Sequence, residues 1–197
     1  MKWRSHIISS EFSLARQLAQ RINGLTKIAS CTSFRTRLMV ANGIFQSKLC
    51  YCIQVWGGAE GYLLNALQRL QNKAARAVTR KCWSTATRTL LKECKWLSVR
   101  QLVFYHTVLS VHKIVTSGQP TELNKNFSTA YHYSTRQATS GGVRTSGTSR
   151  TKRSQSSFTY RGASEYNGIP ASIRQLKNIE TFKLRLKQWT EQNIPIS

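Results

Sequence analysis

The sequence predicts a mainly α protein, a compact multi-helix bundle with a basic, disordered loop and a C-terminal helix that docks back on it. Apolar residues recur at alternating steps of three and four along much of the chain, the period of one helical face. Strand-like alternation is scarce. Between Asn124 and Gln155 the chain is rich in Ser, Thr and Gly and has cations but no acid. Such a composition cannot bury enough apolar surface to offset its ordering entropy.

The opening, MKWRSH, places Trp3 and Ile7 where a free terminus has little use for them, and reads as part of something longer. Phe12, Leu14, Leu18, Ile22, Leu25 and Ile28 predict a helix over 10–29 with Ser10 as its N-cap. Arg16, Arg21 and Lys27 ride on it. A second helix is predicted over 33–56. Its apolar positions are almost continuous from Ile44, so it is expected to be central and buried. Gly43 within it costs about 1 kcal/mol relative to alanine, which signals close packing by a neighbour or a break. Gly57 and Gly58 end it.

The stretch 61–81, GYLLNALQRLQNKAARAVTRK, organises the reading. Leu63, Leu67, Leu70, Ala74 and Ala77 form one stripe, and Arg69, Lys73, Arg76 and Arg80 form a second. The two stripes lie about 110° apart on a helical wheel. No acidic residue occurs between Glu60 and Glu93 to pair with the cations. A solvated basic face would give the same pattern; the charge of the whole chain favours a binding face.

Ser84 is expected to cap a short helix through Glu93, and Ser98 a longer one to about Thr116. The longer one is apolar nearly all round and belongs in an interior; Gly118 and Pro120 stop it. The loop that follows carries Lys125, Arg136, Arg144, Arg150, Lys152 and Arg153, with Tyr131 and Tyr133 placed to tack down its first part. Order returns at Phe158, where Phe158, Tyr160 and Tyr166 suggest docking on the core. Residues 170–176 predict one short turn of helix. Asn178 then caps a last helix with Ile179, Phe182, Leu186 and Trp189 on one seam and Lys183, Arg185 and Lys187 off it. The predicted organisation is a helical domain over 1–123, a basic flexible loop over 124–156 and a C-terminal segment over 157–197.

A formal net charge of +23 and a pI near 10.7 require an external counter-charge. Nucleic acid is the polyanion that best fits, because its phosphates take up Lys and Arg as counterions are released. RNA and/or DNA is therefore the expected partner. A membrane is not: no apolar run spans a bilayer, and the cations are not confined to one amphipathic end. All seven acidic residues are glutamates, scattered, with no aspartate. Two-metal nucleotidyl transfer needs converging carboxylates, and no local cluster offers them.

No metal or other cofactor is expected. Cys50 and Cys52 point about 200° apart on one helix, and Cys31, Cys82 and Cys94 lack zinc-finger spacing. The five thiols read as small buried hydrophobes, reduced and intracellular; nucleus and cytoplasm are not distinguished. His106 reads as a core histidine, His112 lies nearly opposite it, and no glycine-rich phosphate loop occurs. Aromatics near cationic stretches offer stacking platforms for unpaired bases. These are Trp83, Trp96, Tyr131, Tyr133, Phe158 and Tyr160; Trp83 and Trp96 read as core or rim, and the tyrosines stay open between the two roles.

KWRSHI, RTRLMVANGIFQSKLCYCIQVWGG, LQRLQNKAARAVTR, KWLSVRQLVFYHTVLSVHKI, SFTYRGASEYNGIPASIR and TFKLRLKQW follow one another in this order. Together they resemble the region that follows the reverse-transcriptase domain in non-LTR retrotransposon polyproteins and in reading frames derived from them. The resemblance spans essentially the whole chain. LQNKAAR, KWLSVRQL and the pairing of YNGIP with FKxxLKxW are its most specific parts. It implies a helical, thumb-like region that holds template and primer, with an upstream palm and fingers as its partner. The family's catalytic aspartates lie in that palm; none exists here, so no catalytic residue carries over and the chain alone is not expected to be an enzyme. The nucleic-acid contacts implied are Arg69, Lys73, Arg76 and Arg80, with Lys48, and the loop cations extend the basic surface. The zinc-knuckle cysteines of some relatives are absent.

A second reading is a vestigial structural module whose apolar seam, marked by Trp3, Ile7 and the last helix, packed on a missing palm. A third is an independent enzyme using Cys50, Cys52 and His106, which no constellation of residues supports.

Overall fold

The computed structural model describes residues 13–127, 142–143 and 151–196. The protein is mainly α, and no strand occurs among the described residues. They divide into two units between Leu102 and Val103, within one helix, whereas the composition changes at residue 124.

The first unit is built on α1 (Leu14–Ile28) and α5 (Gly61–Thr79), which pack together. Ser13, not Ser10, caps α1, its hydroxyl accepting from the Arg16 amide. Leu14, Leu18, Ile22 and Leu25 are its buried face.

The predicted second helix is broken. It runs as α2 (Phe34–Ala41), a π turn (Asn42–Gln46) and α3 (Ser47–Cys50), stops at Tyr51, and resumes as α4 (Ile53–Trp56) after Cys52 takes a left-handed conformation. Ala41, Phe45 and Leu49 are all fully buried although four residues apart. Each four-residue step overshoots an α-helical turn by about 40°, and the wider π turn absorbs the excess. A Cβ on Gly43 would meet nothing within 4 Å. Gly43 therefore marks the change of register rather than a close neighbour. Nor is the segment wholly central, since Tyr51 and Val55 face solvent.

On α5 the buried positions are Leu63, Leu67, Gln68, Gln71, Ala74, Ala75 and Val78. The core stripe is thus rotated from the predicted one. Leu70 and Ala77 are only half-buried, and two glutamines go inside. The next helix, α6 (Thr87–Cys94), begins after Ala86, two residues later than a Ser84 cap implies, and packs on α5.

Ser98 caps α7 (Val99–Ser117) as predicted. Its hydroxyl accepts from the Gln101 amide, and the Gln101 side chain accepts from the Ser98 amide, a reciprocal pair that satisfies two orphan donors. The helix is largely buried and ends at Gly118, whose φ is +71°.

The second unit packs the later part of α7 with α8 (Thr121–Asn124), a 3-10 turn (Lys125–Phe127), α9 (Lys152–Gln155), α10 (Phe158–Gly168), α11 (Ala171–Arg174) and α12 (Ile179–Asn193). Val108, Val111, Phe127, Val143, Ala163, Tyr166, Phe182 and Leu186 are buried in its core. Asn178 caps α12 through the amides of Glu180 and Thr181. Phe182 and Leu186 are fully buried and Trp189 stacks on Phe104 at 5.5 Å. The last-helix seam is therefore occupied, and it is not the exposed face that the vestigial reading invoked.

Of the stretch 124–156, residues 124–127, 142–143 and 151–156 are described. Phe127 is buried, and Lys152–Gln155 is helical. The Val143 backbone exchanges two hydrogen bonds with the Asn167 side chain, at 2.9 and 2.8 Å. Tyr131, Tyr133, Arg136, Arg144 and Arg150 lie outside the described residues, as do Trp3 and Ile7.

Candidate nucleic-acid interface

The glutamines of α5 fix that helix to the segment Lys95–Leu102. Gln71 donates to the Leu97 carbonyl at 2.9 Å, and Gln68 accepts from the Val99 amide at 2.8 Å. Gln68 also donates to Gln71 and Asn72, and Asn72 to Thr87. All are bonds of ordinary length. Buried amides are costly unless satisfied; here each bond also sets the rotation of α5 about its axis. The cationic stripe is thereby turned outward.

Arg69, Lys73 and Arg80 are exposed, and Arg76 is half-buried. From Arg69 to Arg80 the row covers about 16 Å at the helical rise. Among the described residues the ion pairs are Lys81–Glu93, Lys125–Glu122, Arg161–Glu165 and Lys183–Glu180, so no carboxylate pairs with the row. Arg76 donates from Nη2 to the Trp83 carbonyl at 3.0 Å, while its Nε is buried without a hydrogen-bond partner. Arg80 terminates α5 in a left-handed conformation (φ 57°), its amide bonded to the Arg76 carbonyl. Cations at this end also complement the negative pole of the helix.

The other predicted contacts do not join the row in one element. Lys48 lies on α3 with Nζ 5.6 Å from the centre of the Tyr51 ring. Lys152 is exposed on α9 in the second unit, and Arg153 follows it on the same helix.

Sequence reasoning missed Arg37. It is 7% exposed and faces the helix ends rather than solvent. Its Nε donates to Val78 O at 2.7 Å, and Nη1 donates to Ala29 O at 3.2 Å and to Thr32 O. One guanidinium thus ties the C-terminal ends of α1 and α5. A cation four residues before buried Ala41, on the same stripe, was the available signal. Arg21 similarly donates to Ile44 O in the π turn.

Trp83, read from sequence as core or rim, is 83% exposed. Trp96 fits that reading: its indole donates to Asn42 at 2.8 Å and stacks on Phe45. The buried-hydrophobe reading of the cysteines holds for Cys94 alone, with Cys50 half-buried; Cys31, Cys52 and Cys82 are exposed, and all five are free. Burial pushes the Cys50 thiol up to about 11 and, with Glu93, the Cys94 thiol to about 12. Neither is a thiolate near neutral pH. Hydrogen bonds from Ser84, with Arg76 nearby, hold the exposed Cys82 thiol below its ordinary value.

The core histidine is His112 rather than half-buried His106. Its ring stacks on Phe182 at 3.6 Å, and Nδ1 lies 3.3 Å from the Tyr166 hydroxyl. Burial lowers both histidines' affinity for a proton. No group of side chains suited to a metal ion occurs among the described residues, and no described helix is long and apolar enough to cross a membrane.

No family model, curated protein or solved structure matches the chain.

Proposed function

We propose that this protein binds the phosphate backbone of RNA or DNA, as the helical region that follows the palm of a non-LTR retrotransposon reverse transcriptase. The row Arg69, Lys73 and Arg80 carries this reading, because it is exposed and has no carboxylate partner among the described residues. Arg76 adds a fourth cation at its edge. A net charge of +23 supplies the long-range attraction. The protein holds nucleic acid and contributes no polymerase chemistry; those aspartates belong to an upstream palm in the intracellular parent enzyme.

The binding is electrostatic and nearly indifferent to sequence. With four phosphate contacts, the logarithm of affinity should fall with the logarithm of salt at a slope of about −3. Anisotropy titrations of a labelled oligonucleotide across a salt series measure it. A slope near zero rejects the proposal.

A second reading, packing against a polymerase palm, is favoured by Phe34, Met39, Tyr51, Val55 and Tyr62, large apolar residues exposed on the first unit. Aggregation of the isolated chain, relieved by the upstream domain, supports it. A monodisperse chain with no affinity for that domain removes it.

A further inference from the structure

We propose that the indole of Trp83 is a stacking platform for an unpaired base, giving the protein a preference for single-stranded over duplex nucleic acid. The inference rests on the backbone-binding reading and goes beyond it, because a row of cations alone does not discriminate between the two. Three other tryptophans are described, and each has a partner. Trp56 is buried and donates to the Tyr51 carbonyl, Trp96 is held by Asn42 and Phe45, and Trp189 stacks on Phe104. Trp83 has neither a ring stack nor an indole hydrogen bond among the described residues, and it is the most exposed of the large hydrophobics.

Its backbone, by contrast, is fixed. Arg76 donates to its carbonyl, and the Thr85 amide bonds Cys82 O at 3.1 Å across the turn. A rigid mount and a free ring suit a contact that loses little entropy on binding. The surroundings select the ligand. Arg80 precedes the turn and Arg76 touches it, while Lys81 is paired with Glu93. An apolar protein surface would have to desolvate those cations. A nucleotide offers an aromatic face for the indole and a phosphate for the guanidinium together. In a duplex that base face is already stacked inside the helix, so only an unpaired strand satisfies Trp83.

The test uses the full chain and the variants W83A and W83F, titrated with labelled oligouridylate, oligothymidylate and a duplex of equal length. The proposal expects W83A to lose about tenfold on both single strands, to bind duplex within about twofold of the parent, and to keep the parent's salt slope. W83F should retain most of the single-strand affinity. Unchanged single-strand binding by W83A overturns the platform and leaves the backbone reading intact. Equal losses on strand and duplex also overturn it, because they mark a general or structural role. Failure of the parent chain to bind any of the three ligands removes the backbone reading, and the platform falls with it.

Discussion

The Nε of Arg37 donates to the carbonyl of Val78, 2.7 Å away and 41 residues along the chain. The bond joins the start of one helix to the end of another, and the same guanidinium reaches the Ala29 and Thr32 carbonyls beyond α1. Carbonyls at helix ends have no intrahelical donor, so Arg37 satisfies groups that would otherwise be buried and unpaired.

Arg37→Met fills much of the same space but removes the donors. It should destabilise the protein by about 3 kcal/mol, the range expected when buried acceptors lose a charged donor. Arg37→Lys, which lacks the planar fork, should recover only part of that. Urea melts followed by circular dichroism measure both. A loss for Arg37→Met within about 0.5 kcal/mol, the usual limit for surface substitutions, would show that the bonds contribute nothing.

Glu165 lies beside Arg161 at 3.7 Å in the second unit, with its side chain 22% exposed. Burial pushes its carboxyl up to about 7 from 4.5, and Arg161 only partly opposes this. The folded state therefore holds a proton that the unfolded state has already released. Stability from this group is greatest below the unfolded value and is lost as pH rises through about 7. The full effect is on the order of 3 kcal/mol. His106 and His112 act oppositely, since burial keeps them neutral and acid must charge them. The difference between parent and Glu165→Gln isolates the carboxyl: the variant should gain in relative stability as pH rises from 5 to 8. A pH-independent difference between the two melting curves would refute the assignment.

Glycine substitutions should have opposite signs in the two units. A Cβ on Gly162 would lie 2.8 Å from Val111 Cγ2, with Thr107 and Phe127 behind it. Valine is stiff in a helix and cannot swing aside cheaply. The overpacking cost, about 1–3 kcal/mol, outweighs a helix-propensity gain of about 1. Gly162→Ala should therefore destabilise by about 1 kcal/mol, within that balance. Gly24, inside α1, has nothing within 4 Å of an added Cβ, and Gly24→Ala should stabilise by nearly the full propensity gain of about 1 kcal/mol. Thermal melts that place both changes on the same side of the parent contradict this packing.

An apolar run between the Ser98 cap and Gly118 made α7 legible, and helical periodicity did so for α1 and, with the Asn178 cap, for α12. It failed where polar groups entered the core. Gln68 and Gln71 are buried because Leu97 and Val99 present backbone partners, a contact whose distance in sequence hides it from any local pattern. The same blindness missed Arg37 and rotated the inferred stripe of α5. Apolar continuity overstated the burial of residues 44–56, because a π turn and left-handed Cys52 re-aim the chain. The cationic row was readable as a stripe from its spacing, although its outward orientation depends on the buried glutamines of α5. Exposure of Trp83 was not, because a large apolar side chain is ordinarily assigned to the interior.

The central claim is that Arg69, Lys73 and Arg80 take up phosphates. Its most direct measurement is the affinity of Arg69→Glu/Lys73→Glu/Arg80→Glu for a labelled oligonucleotide at fixed salt, with circular dichroism confirming that the helices persist. Arg76 is left in place because it also holds the Trp83 carbonyl. A loss of at least about 100-fold is expected, as three contacts are removed and three repulsions added. A folded variant that binds within about threefold of the parent would place the phosphate contacts elsewhere and contradict the account.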